Sequence, residues 1–299
     1  MDNKVIIIII YLLVVTGAEL VITYHSVILG LWIYAILLLS LIASSTLSIK
    51  QKTTLEGALS ERDLLRSTLL GLRGQNFRVT ALPWFRPRER FKDSSIRREY
   101  DFSNLMKCLT LAPLIRMLST SMPVAPLEQI YWFIVINTPL FVIAILLIKS
   151  QMLTKRFIGL RLGNWKIQFP IAITGFFLGF IDYSLLRPSP LIASLTPETL
   201  LIPAAILMIF TGFSEELIFR GLIQTHAEKL TGKLHGLIFT SILFASMHIG
   251  WQSPPDLLFV FGVGLFYGYV FQKTRSLTGI TLSHGITNIT MFLLAPFLL

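Results

Sequence analysis

The run Trp132–Ile148 reads WFIVINTPLFVIAILLI and contains no charged side chain. A helix crossing the hydrocarbon of a bilayer needs roughly 20 such residues, and the flank from Leu127 supplies the missing length. Phe259–Phe271, with its apolar flanks, reads the same way. Barrel strands would show only weak alternation over about 10 residues, so these runs imply helices. The whole chain agrees with its parts: 299 residues, 54% hydrophobic, 14% charged, with a mean hydropathy of +0.70. That is too apolar for a soluble fold of this length and predicts an all-α polytopic membrane protein.

Charge carries the next inference. The formal net charge is +10, but the excess sits in short loops between apolar runs. This pattern reads as membrane topology and argues against nucleic acid as a partner. The lone Cys108 excludes an intrachain disulfide and a Cys-rich metal site. Ile6–Tyr24 is long for a secretory h-region, carries Glu19 and is followed by no clear cleavage site, so it is expected to remain as a first span.

Further apolar runs follow. Residues 1–48 predict a transmembrane hairpin that turns at Tyr24–Ser26. Residues 49–104 predict a basic cytoplasmic segment, residues 105–199 helices of unassigned role, and residues 200–298 a C-terminal core of four helices. Lys50–Lys107 holds 13 Lys/Arg against 7 Asp/Glu, a net of +6, with its densest stretch between Arg86 and Arg98. The expectation is about nine spans, with eight as the fallback, because Leu105–Met122 contains Pro113 and Arg116. Nine spans put the N-terminus in the cytoplasm and gather the basic loops on one side. Neither an internal repeat nor paired broken helices suggest a transporter.

Ionisable groups inside spanning helices are costly and mark functional candidates. They concentrate in three places: Phe213–Arg220 (FSEELIFR), Phe244–His248 (FASMH) and Ser283–Asn288 (SHGITN). Glu216 lies 16 residues before Gly232 and His248 16 residues after it. In an antiparallel hairpin turning at Gly232, equal spacing means equal height. If the polar stretch Gln224–His235 projects past the bilayer, Glu216 sits about 12 Å and His284 about 10 Å below the cytoplasmic boundary. Taken singly, Glu216 with Arg220 reads as an i, i+4 ion pair, and one histidine as an interhelical hydrogen-bond donor. Asp182 and Glu19, near the ends of their spans, read as structural or interfacial.

The three motifs E-E-x-x-x-R, F-x-x-x-H and H-x-x-x-N, in that order on successive apolar helices, resemble the CAAX-protease and bacteriocin-processing family, which includes the type II CAAX prenyl endopeptidases. The resemblance covers about Leu200–Leu298. It implies an intramembrane endopeptidase acting on a membrane-associated or prenylated peptide or protein near the cytoplasmic face. Glu215 with His248 would activate water, His284 and Asn288 would stabilise the oxyanion, and Glu216 with Arg220 would support the site. A glutamate mechanism without a metal is the favoured form. Zinc held by Glu215, His248 and His284 is the alternative cofactor reading. A noncatalytic immunity or scaffold protein that keeps the fold is the alternative to an enzyme.

Overall fold

The computed structural model describes residues 3–46 and 94–299. Among these, eight helices are long and apolar enough to cross a membrane: α1 (Asn3–Tyr24), α2 (Val27–Thr46), α5 (Gln129–Ser150), α6 (Trp165–Leu186), α7 (Pro197–Thr231), α8 (Lys233–Trp251), α9 (Pro254–Thr274) and α10 (Thr278–Leu298). Two more, α3 (Ser94–Leu109) and α4 (Leu111–Ser121), lie between α2 and α5. The protein is all-α and polytopic. Most of the basic segment, with the stretch Arg86–Lys92, lies outside the described residues.

Helix ends follow local chemistry. Asn164 caps α6 by accepting from the Lys166 N–H at 3.0 Å. Thr196 and Thr199 form a capping box ahead of α7, with Pro197 in its first turn. Gly232 adopts φ 88°, which lets α7 turn into α8 across a single residue. Outward faces carry large apolar side chains such as Ile28, Phe177, Leu201 and Leu258, as lipid-facing helices require.

The expected span Leu105–Met122 is not one continuous helix. Pro113 has no N–H to offer the Leu109 carbonyl, and the chain breaks at Thr110 into α3 and α4. The pair still runs alongside α1. Lys4 pairs with Glu99 at one end, and Glu19 pairs with Arg116 at 2.6 Å at the other. Leu105, Met106, Leu109 and Leu111 are fully buried, so this passage lies inside the bundle and not against lipid.

The polar stretch Gln224–His235 is helical for most of its length, and the turn itself narrows to Gly232. Residues 224–231 continue α7, and Gln224 through Glu228 are buried. Their polarity serves a network between helices. The Gln224 amide donates to Glu228 at 2.7 Å and to the Gly268 carbonyl at 3.0 Å, and Gln272 and Arg275 both reach Glu228.

The far end of α7 reaches the same core from the other side. Within this helix, α-helical Ser214–Glu216 lies between two π-helical stretches, Leu207–Phe213 and Leu217–Gln224. Helix α10 has a third at Thr290–Leu294. Such wide turns concentrate at functional sites because they re-aim neighbouring side chains.

Candidate active site

Helices α7, α8 and α10 bring the three motifs together. Glu215 is the more open of the two carboxylates, with its side chain 27% exposed, whereas Glu216 is wholly enclosed. Glu216 Oε1 accepts from Arg220 Nη1 at 2.9 Å and from His284 Nδ1 at 2.8 Å. Arg220 is itself buried and donates to the Gly264 carbonyl at 3.4 Å. Its guanidinium lies 4.5 Å from the Phe244 ring centroid and 5.6 Å from that of Tyr267. A buried charge survives in such a place only when paired and surrounded by acceptors or aromatic faces.

The two imidazoles have committed nitrogens. His284 gives its Nδ1–H to Glu216, and its Nε2 stands 3.9 Å from Glu215 Oε2. His248 gives its Nδ1–H to the Phe244 carbonyl at 2.9 Å, which leaves Nε2 as its free nitrogen. Phe244 packs edge-on against His284, with ring centroids 6.0 Å apart, and joins the two histidines through one aromatic wall. On α10, Asn288 donates to Thr211 Oγ at 2.8 Å, and Thr211 in turn donates to the Leu207 carbonyl. One amide N–H of Asn288 therefore remains uncommitted.

Glu215, His248, His284 and Asn288 line one cavity of about 270 Å³, together with Thr211, Phe219, Phe244 and Met247. The equal-height argument from Gly232 is counted to Glu216, whose neighbour Glu215 lines this cavity with His248. The depth was counted from Gln224, whereas α7 runs on to Thr231. Measured from Gly232 along α7, Glu216 is about 24 Å away at 1.5 Å per residue. The cavity rim is formed by Gln129, Leu186 and Trp251, at the end of the bundle opposite Gly232.

No hydrogen bond or ion pair joins Glu215 directly to His248. Among the described residues, no three His, Cys, Asp or Glu side chains come together with the spacing of a metal site. Both free Nε2 atoms and the Glu215 carboxylate are of the right chemical type for zinc, but the set does not converge.

Residues 197–290 match the family described as type II CAAX prenyl endopeptidase Rce1-like. The match contains all seven motif residues from Glu215 to Asn288. This segment is similar to an Rce1-like domain. It begins at the first residue of α7, and as a class such a domain is that of a CAAX-type intramembrane protease. No curated protein and no solved structure matches the chain.

The Rce1-like domain is braced by residues outside the match. Arg116 bridges two parts of the fold: its Nε donates to Glu19 Oε1 and its Nη2 to the Met247 carbonyl, each at 2.6 Å. Tyr34 donates to the same Glu19 oxygen at 2.5 Å, and Thr16 pairs with Ser246 at 2.9 Å. The N-terminal hairpin thereby holds the residues immediately before His248. Asn137 of α5 accepts from Ser214, next to Glu215, at 2.8 Å. Sequence reasoning marked Arg116 and Glu19 as charges in apolar runs but had no signal for their pairing across nearly a hundred residues. It also missed Thr211, and it set aside Asp182, which with Asp256 lines the cavity.

Proposed function

We propose that the protein is an intramembrane endopeptidase that hydrolyses a peptide bond of a membrane-associated or lipid-modified substrate with water activated by Glu215 and His248. The single observation that carries this reading is the enclosure of Glu215, His248, His284 and Asn288, all four within the matched segment, around one cavity. Glu215 is the base because it faces the cavity while Glu216 is consumed by Arg220 and His284. The free Nε2 of His248 accepts a hydrogen bond from the same water and orients it.

As water oxygen attacks the carbonyl carbon, one water proton passes to Glu215 and the carbonyl oxygen gains negative charge. The uncommitted N–H of Asn288 meets that charge. His284 contributes a second donor from Nε2 only as an imidazolium, since a neutral ring spends its one proton on Glu216. When the tetrahedral intermediate collapses, the C–N bond breaks and the proton on Glu215 passes to the leaving nitrogen.

The basic loops favour an orientation for this chemistry. Lys149, Lys155, Arg156, Lys229, Lys233 and Lys273 gather at the Gly232 end, while Arg187 is the single Lys or Arg in the loops of the other end among the described residues. By the positive-inside rule the Gly232 end is cytoplasmic, and the cavity rim then faces the opposite side. On this reading the scissile bond lies nearer the face opposite Gly232, in place of the cytoplasmic face first expected.

The test is proteolysis by detergent-purified protein of membrane-anchored and prenylated peptides, with mass detection of the new termini and with chelator present. Cleavage that persists in chelator and disappears in Glu215→Gln is the expected result. Loss on chelation with recovery on added zinc would replace the mechanism. Absence of any cleavage would leave the noncatalytic reading.

A further inference from the structure

The Rce1-like motifs occupy the inner part of the cavity. Its outer part holds two more carboxylates, Asp182 near the end of α6 and Asp256 in the first turn of α9. Asp182 is 9% exposed and Asp256 1%. The two carboxyls are close enough for one to feel the charge of the other. Apart from the contact between the two carboxyls, Asp182 Oδ1 and both carboxylate oxygens of Asp256 have no hydrogen-bond partner.

The usual structural employment for Asp256 is unfilled. An acid at this position of a helix commonly reaches back to the backbone N–H of the capping residue. Here Ser253 caps α9 by accepting from the Asp256 N–H, but the Asp256 carboxylate returns no bond. Nor is the pair neutralised from within. Among the described residues, Arg116 is the only Lys or Arg lining the cavity, and Glu19 and the Met247 carbonyl engage it. Two adjacent buried carboxylates need a shared proton or a guest cation. The wall beside them is aromatic: Trp251 and Phe292 pack with ring centroids 6.2 Å apart, and both line the cavity. Such a wall suits the alkyl stem of a long basic side chain or the face of a guanidinium.

We propose that Asp182 and Asp256 form a subsite that binds a lysine or arginine side chain of the peptide substrate and so sets the position of the scissile bond. The proposal rests on the peptidase reading, because it takes the hydrolytic residues and the acidic pair to share one peptide. A basic side chain, once bound, supplies the missing counter-charge and donors to the oxygens that lack them. The aromatic wall accommodates its stem.

The experiment uses the full chain in lipid nanodiscs and two fluorescent peptides that differ only in arginine versus citrulline, the uncharged isostere. Equilibrium binding is measured with Glu215→Gln protein, so that the outcome does not depend on turnover, and kcat/KM with the wild type. Arginine should be preferred by about tenfold to a hundredfold, as for hydrogen bonds to charged groups. In Asp182→Asn and Asp256→Asn that ratio should collapse toward one. Equal binding of the two peptides, or variants that weaken both in parallel with the ratio intact, would overturn the subsite. Preferential binding of arginine without cleavage by the wild type would keep the subsite and discard the peptidase reading.

Discussion

At the scale of single residues, Glu215 and Glu216 differ by one position and by their whole environment. Glu216 completes a buried network with Arg220 and His284, so Glu216→Gln or Arg220→Met removes one partner and strands another. Breaking a buried pair in this way costs about 3–5 kcal/mol, and a marked drop in the melting temperature of purified protein is expected. Glu215→Gln, at the cavity wall, should leave the melting temperature nearly unchanged while abolishing hydrolysis. The opposite pattern would exchange the two roles. Asn288→Ala should lower kcat by about 10² to 10³ with little change in KM, as loss of an oxyanion donor does. The carboxylates and imidazoles were legible in the sequence because charges are rare in spanning helices. The tautomer of His284 was not, because it follows from the Glu216 contact, which joins residues 68 apart in the chain.

Elements meet at glycines. A Cβ on Gly175 of α6 would lie 2.2 Å from the Ser283 carbonyl oxygen, and one on Gly179 would lie 2.6 Å from that of Thr287. These are backbone atoms of α10, which cannot give way as a side chain would. Small residues four apart allow such close approach between membrane helices. Gly179→Val should therefore push α6 from α10, lower the melting temperature and displace His284 and Asn288. Gly262, with open space at its Cβ, supplies the control, and Gly262→Ala should have little effect on either measurement. The eight apolar helices were legible to within a few residues, except where α7 runs on through Gln224–Thr231. There, partners on α9 satisfy polar side chains that in isolation look like a loop. The π-helical stretches on either side of Glu215 left no mark in the residue pattern.

On the scale of the whole molecule, the basic end and the cavity rim lie at opposite ends of the bundle. In a Cys108→Ser background, Gln129→Cys and Lys233→Cys should label from opposite sides of sealed vesicles, with Lys233→Cys reached from the cytoplasm. Labelling of both from one side would sink the orientation. The N-terminal hairpin reaches the site through Glu19, Arg116 and Met247. Arg116→Met, which leaves Glu19 buried and unpaired, should reduce stability by about 3–5 kcal/mol and impair turnover. Combining it with Glu19→Gln should restore much of the melting temperature but not the grip on the Met247 carbonyl, so kcat should stay low.

The Arg116 bridge also bears on where this protein can be cut. Residues 197–290 carry every motif, yet a fragment with those limits would lose α6, the wall against which α10 is fitted. It would also lose the guanidinium that anchors the Met247 carbonyl and the amide of Asn137 beside Glu215. The smallest piece that carries the signature is therefore not the smallest piece that can fold around it. Co-expressing an N-terminal and a C-terminal piece from separate genes, divided between residues 47 and 93, is the dissection these contacts favour.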